Sequence, residues 1–198
     1  MLTKYSVAIV IVGLLLTMAL ACGTSESTKI ASAYNVVFGT PTEMGEFIVF
    51  NSKDGEGDQI QFTLDEQDAH QYTLDADLVI EEMDKGRFTV LLDTPTVRTL
   101  TFQGDKSVRV WSPVSPVSST GRDTFSLSKE MHLRILVDLR ENSWSIVVTE
   151  DDQEVLMDYT GFLGATHVRS IRFSTSVLEN PEPVKVTVRN IVISSSSH

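Results

Sequence analysis

Leu133-Arg134-Ile135-Leu136-Val137-Asp138-Leu139, then Arg140-Glu141-Asn142, then Ser143-Trp144-Ser145-Ile146-Val147-Val148: this stretch decides the fold. Leu133, Ile135, Val137 and Leu139 fall on one face, with Arg134, Leu136 and Asp138 on the other. After the three turn-forming residues, Trp144, Ile146 and Val148 alternate with Ser145 and Val147. Successive side chains of a strand point to opposite faces, so period two with one apolar face predicts two half-buried strands joined by a tight turn.

The same alternation runs outward in both directions. It is present in Tyr72-Leu74-Ala76-Leu78-Ile80, in Phe88-Val90-Leu92, in Ile171-Phe173 and in Val184-Val186-Val188, which leads into Ile191 and Ile193. Further strands are expected at 46–51, 58–64, 97–103, 107–111, 123–127 and 154–159. Turn chemistry separates them at Asp54-Gly55-Glu56-Gly57, Asp84-Lys85-Gly86, Gly104-Asp105-Lys106 and Glu179-Asn180-Pro181. No stretch of the mature chain keeps a helical period, and no internal repeat is evident. Many short strands at this spacing predict an all-β fold, an antiparallel two-sheet sandwich, over residues 33–194.

The first residues have a different character. Lys4 is followed by the unbroken apolar run Val7–Leu20, then Ala21-Cys22-Gly23 and the polar run 24–29. That order is a positive n-region, an apolar h-region and a small-residue cleavage site, so residues 1–21 are expected to be a removable secretory signal. Cys22 directly after Met18-Ala19-Leu20-Ala21 resembles the bacterial lipobox, although Ala19 and Leu20 stand where Leu and a small residue are more usual. The resemblance implies acylation at Cys22 and an extracytoplasmic protein anchored to the cell membrane or outer membrane. Buried acyl methylenes contribute ~0.8 kcal/mol each, so several chains hold almost permanently. A permanent helix over the uncharged run Tyr5–Ser25 is the competing reading, and it places the domain on the same side. Residues 22–32, rich in Ser and Thr, are expected to be a flexible tether.

Composition narrows the partners. The 198 residues carry a formal charge of −11. Without Lys4 the mature part has 15 basic against 27 acidic side chains, a net charge of −12. Such a surface repels nucleic acid phosphate and anionic headgroups, so no nucleic-acid role is expected. Cys22 is the single cysteine, which leaves no internal disulfide and no thiolate metal cluster. Stability must come from core packing, which a 177-residue mature chain can supply.

The 133–148 hairpin resembles that of concanavalin A-like lectin/glucanase sandwiches, in which a strand ending near an Asp turns into one opening with Trp. Ile171-Arg172-Phe173-Ser174-Thr175 is similar to their following inner strand. Val186-Thr187-Val188-Arg189-Asn190-Ile191-Val192-Ile193 is similar to their closing strand. The resemblance covers roughly residues 34–193 and implies a jelly roll of two curved sheets. That superfamily includes lectins, glycan hydrolases and lyases, and adhesion modules; the fold does not choose among them.

Catalytic chemistry is hard to find. Retaining glycan hydrolysis needs two carboxylates ~5 Å apart on one face, and the related hydrolases carry Glu-x-Asp-x-Glu on a strand. Glu81-Glu82-Met83-Asp84 has the wrong spacing and reads as a solvated strand end. Asp75 and Asp77 do share a face, without a third partner in sequence. The loop 54–58 offers oxygens to calcium but lacks the order of an EF-hand and reads as a glycine-rich turn. His70, His132, His167 and His198 have no metal spacing, and there is no Gly-x-Ser-x-Gly elbow. No cofactor is expected.

Sugar rings stack their apolar face on exposed aromatic rings. Trp144 shares a face with Ile146 and Val148 and is expected in the core. Trp111 falls opposite Val108 and Val110, beside Arg109, at the entry to the proline-stiffened stretch 112–119, where burial against a neighbouring loop is the stronger expectation and an exposed binding role the competing one. Asp75, Asp77, Arg109, Trp111, His132 and Arg134 are the candidate ligand contacts, expected together on one concave sheet face. The leading expectation is a non-catalytic, surface-tethered module that binds glycan. The alternatives are a polysaccharide hydrolase or lyase with an unrecognised carboxylate pair, and a structural envelope protein.

Overall fold

The computed structural model describes residues 28–29, 34–53, 56–64, 69–111, 124–151, 153–176 and 183–197. Its strands are β1 (Thr28–Lys29), β2 (Asn35–Phe38), β3 (Thr42–Met44), β4 (Phe47–Ser52), β5 (Gln59–Thr63), β6 (Gln71–Met83) and β7 (Arg87–Asp93). They continue with β8 (Arg98–Gln103), β9 (Val108–Trp111), β10 (Glu130–Asp138), β11 (Ser143–Glu150), β12 (Gln153–Phe162), β13 (Ser170–Ser176) and β14 (Val184–Ser196). One sheet has eight strands in the order β12-β11-β10-β6-β14-β4-β3, with β1 added to β14. The other has six, in the order β2-β5-β13-β7-β8-β9. Every pairing is antiparallel, and the two sheets close over one shared interior, the jelly-roll sandwich expected from the alternation.

The deciding hairpin forms as read. β10 pairs β11 from Met131↔Glu150 to Asp138↔Ser143. Leu133, Ile135 and Val137 are buried, as are Trp144, Ile146 and Val148. Asp138 stops the first strand because its Oδ1 accepts the backbone N–H groups of Arg140 and Glu141, each at 2.9 Å. This is an Asx-type turn that returns the chain directly into Ser143. Between the sheets, Phe50, Phe62, Phe88, Phe102, Phe125 and Phe173 form a chain of ring contacts with centroids 5.6–6.2 Å apart, several of them edge-on.

Three features depart from the expectation. Residues 124–127 do not form a strand: Thr124 makes one bridge to Ser107, and Phe125 turns inward against Phe102. Ser128 then adopts φ 61°, which ends any extension. Asp123 lies outside the described residues, as do the turn residues Asp54-Gly55 and Glu179-Asn180-Pro181. The strands β2 and β3 were not anticipated, because all their residues are exposed and no alternation marks them. Finally, β1 lies within the stretch read as a tether, pairing Thr28 with Ser195 and Lys29 with Ser194. The signal segment and Cys22 lie outside the described residues.

Candidate functional site

Outward residues of β6 and β10 meet in register on the eight-stranded sheet, Asp77 opposite His132 and Asp75 opposite Arg134. His132 lies between the two carboxylates, with Nδ1 2.9 Å from Asp77 Oδ1 and Nε2 3.4 Å from Asp75 Oδ1. Arg134 Nε donates to Asp75 Oδ1 at 2.7 Å. These four expected contacts therefore form one ladder of carboxylate, imidazole and guanidinium groups across two strands. Burial pushes the Asp77 carboxyl up, but hydrogen bonds from Asn190 and His132 and the charges of His132 and Arg189 outweigh it, so its pKa lies below the ordinary Asp value.

The ladder continues onto β14 through residues the alternation did not single out. Asn190 Nδ2 donates to Asp77 Oδ2 at 2.6 Å. Arg189 pairs with Glu130 and comes within 4.0 Å of Asp77. Its guanidinium lies 5.9 Å from the centre of the Phe47 ring. A β-bulge causes this: Arg189 is opposite Asp77, but Val192 is opposite Asp75, so β14 carries one extra residue. Asn190 takes up the bend with φ 52°. The sequence held a signal for it, since the apolar phase jumps from Val184-Val186-Val188 to Ile191-Ile193 with Asn between. Four residues beyond Asp77 on the same face of β6, Glu81 pairs with Lys185 and accepts from Thr187 Oγ1 at 3.0 Å. The hydrogen bond from Lys185 holds its carboxyl below the ordinary Glu value, against the effect of burial. Glu81 is thus engaged on the sheet face and is not part of a free carboxylate pair.

Arg109 and Trp111 stand elsewhere. They point outward from β9, the last strand of the six-stranded sheet, where Trp111 is opposite Thr99 and Arg109 opposite Thr101. Trp111 is 51% exposed. Arg109 is anchored by Asp105 Oδ2 at 3.2 Å and Ser107 Oγ at 3.3 Å. The six candidate contacts therefore do not share one face. Alternation along a strand fixes which side chains face out, but the sheet that takes each strand is settled by pairing, and β9 joins β8 while β6 joins β10 and β14. The stretch 112–119 that follows Trp111 lies outside the described residues. Trp144 is buried as expected.

The calcium reading of loop 54–58 meets a different use of Asp58. Its carboxylate is buried and accepts the N–H of Thr40 at 2.7 Å, the N–H of Asn51 at 2.9 Å and Ser52 Oγ at 3.4 Å. Asp58 N–H in turn donates to Thr175 Oγ1 at 2.9 Å. The group ties the β2–β3 link, the end of β4 and β13 into one knot, beside a polar cavity of about 260 Å³ lined by Gly39, Asn51, Lys53 and Glu56 among others. Among the described residues, no three His, Cys, Asp or Glu side chains are grouped to hold a metal.

No protein-family model matches the sequence, and no curated protein matches it. Solved structures do match by shape. A sialidase superposes with TM-score 0.61 at 15% identity over 82% of this chain, which spans only 17% of that protein. The CBM2 module of the evolved Dit of Lactobacillus casei BL23 phage J-1 matches with TM-score 0.57 at 9% identity, over 81% of each chain. Lectin I-B4 of Griffonia simplicifolia matches with TM-score 0.53 at 11% identity, over 83% of this chain and 92% of that one. Together with the two antiparallel sheets, these likenesses establish a concanavalin A-like jelly roll.

Proposed function

We propose that the chain is a surface-tethered, non-catalytic module that binds glycan. The observation that carries this is Trp111, a large ring half-open to solvent on the end strand β9. Thr99 and Thr101 lie across from it and its neighbour Arg109, which is held in place by Asp105 and Ser107. A ring to stack on, hydroxyls to bond and a fixed guanidinium are the groups a pyranose uses. The fold's likeness to a lectin and a carbohydrate-binding module supports the reading. The tether is Cys22, acylated after removal of residues 1–21, on the outside of the cell membrane or outer membrane.

The hydrolytic alternative gains less support. A general acid needs a carboxyl whose pKa is raised toward neutrality. Asp77 is shifted the other way, and Asp75 is committed to Arg134 and His132.

A glycan array probed with residues 22–198 carrying Cys22→Ser, and then with Trp111→Ala in the same chain, tests the binding reading. The start at residue 22 keeps β1 on its sheet. The expected outcome is binding that Trp111→Ala weakens about thirty-fold, the ~2 kcal/mol of a central aromatic contact. Glycan binding that survives Trp111→Ala unchanged removes Trp111 from the site, and no binding by either chain removes the glycan.

A further inference from the structure

Five of the eight exposed large apolar side chains among the described residues fall within residues 36–47: Val36, Val37, Phe38, Met44 and Phe47. They cluster on one lateral side of the sandwich. β2 ends the six-stranded order, β3 ends the eight-stranded one, and a three-residue link joins them. All of β2 and β3 is exposed, and Val36, Val37, Phe38 and Met44 have half or nearly half of their surface in solvent. An exposed apolar edge of this kind marks a surface that meets something apolar.

The edge is poorly suited to adding another strand. The pairing of β2 with β5 slips between Val36 and Phe38, so Val37 sits in a bulge, a device that turns an edge away from further pairing. The side chains, not the backbone, are what this edge offers. The path of the chain says what lies within their reach. β1 pairs Lys29 with Ser194, and β4 pairs Phe47 with Arg189 on the same flank of β14. Five residues of strand separate those two points, about 17 Å. Cys22 precedes Thr28 by six residues, which span about 20 Å at most. An acylated Cys22 would therefore hold β1 within about 20 Å of the lipid surface, which puts the apolar edge on the same flank within reach of it.

We propose that the β2–β3 edge rests in the headgroup region of the bilayer that holds Cys22, and that this contact turns Trp111 and Arg109 away from the membrane. The inference rests on the tethered reading above. Apolar side chains at such an interface penetrate roughly 5–10 Å, which leaves the open backbone edge among hydrated headgroups and out of the hydrocarbon. The mature charge of −12 repels anionic lipid, so the contact is apolar and insensitive to salt. β9 is at the other end of the six-stranded order from β2, five strand spacings or about 24 Å away. Docking by one edge presents the other to the surroundings, where a glycan is met.

The full chain, expressed and processed in a bacterial host and reconstituted in phosphatidylcholine vesicles, tests this. An environment-sensitive fluorophore is placed by Val37→Cys or, at the far edge, by Thr124→Cys, with spin-labelled lipid as quencher and intact mass reporting the state of Cys22. The expected result is a blue shift and quenching at position 37, none at 124, at low and high salt alike. Phe38→Glu with Met44→Glu is expected to abolish the quenching without moving the melting temperature. An acylated chain whose label at 37 reads water overturns the docking and leaves the tether standing. A mass without acyl groups overturns the tether itself. Equal quenching at both positions overturns the orientation. A label at 37 that is shielded but not quenched, on a chain sedimenting as a dimer, assigns the edge to a second copy and overturns the bilayer contact.

Discussion

Asp58 shows how one residue joins two sheets. Its carboxylate satisfies two backbone N–H groups from different segments, and its own N–H reaches Thr175. Asp58→Ala takes the acceptor from both part-buried amides and leaves the Asp58 side-chain site empty, and is expected to cost about 2 kcal/mol by chemical denaturation. Gly39 is the partner condition. Its φ is 79°, and a Cβ there would lie 2.3 Å from Asp58 Oδ1 and 2.4 Å from the Gly57 carbonyl oxygen. Gly39→Ala is therefore expected to cost at least ~2 kcal/mol, from left-handed strain and the clash together. Trp111→Ala is the contrast: loss of an exposed ring from an edge strand is expected to leave the melting temperature nearly unchanged while lowering the proposed glycan binding. Trp144→Ala removes a fully buried ring and is expected to cost about 3–5 kcal/mol by the same denaturation measurement.

At the scale of elements, the bulge in β14 is the feature that organises the eight-stranded face. It moves Asn190 over Asp77 and closes the ladder from Arg134 to Glu130. Asp77 has a folded pKa below its unfolded one. A group with a depressed pKa contributes stability above the unfolded value, ~3.9 for Asp, and that contribution is lost as pH falls through the folded value. Asp77→Asn is thus expected to melt lower than the parent at neutral pH, with the two curves converging below about pH 4. A gap that stays constant across that range would remove the carboxylate charge from the account. The two outer faces also differ in kind. The eight-stranded face carries charges already paired with one another, whereas the β9 edge carries an aromatic ring without an aromatic partner among the described residues.

For the whole molecule, one core under two sheets has to supply the stability, because the single cysteine closes no internal loop. The melting temperature is expected to be the same with and without reductant, and a difference would point to an unacylated Cys22 paired between chains. The arrangement also separates tasks by position. β1 pairs β14 on the flank that β4 and β3 continue, and Trp111 lies across the width of the six-stranded sheet from the β2–β3 edge.

The sequence by itself determined which side chains go inward. Leu133, Ile135 and Val137, Trp144, and the Tyr72-to-Ile80 series all face the core as their alternation required, because strand period two is a local property of the backbone. Trp111 was legible as opposite the core face for the same reason, but its exposure was not, since a covering loop leaves no local period. Only the tertiary structure decided which outward residues meet. Asp75, Asp77, His132 and Arg134 converge because β6 pairs β10, and Arg109 and Trp111 are separated from them because β9 pairs β8. Strand pairing joins residues far apart in the chain, and no local period encodes it. The edge strands β2 and β3 escaped notice on the same grounds: with no buried face they leave no alternation, and their strand character comes wholly from the neighbours they pair with.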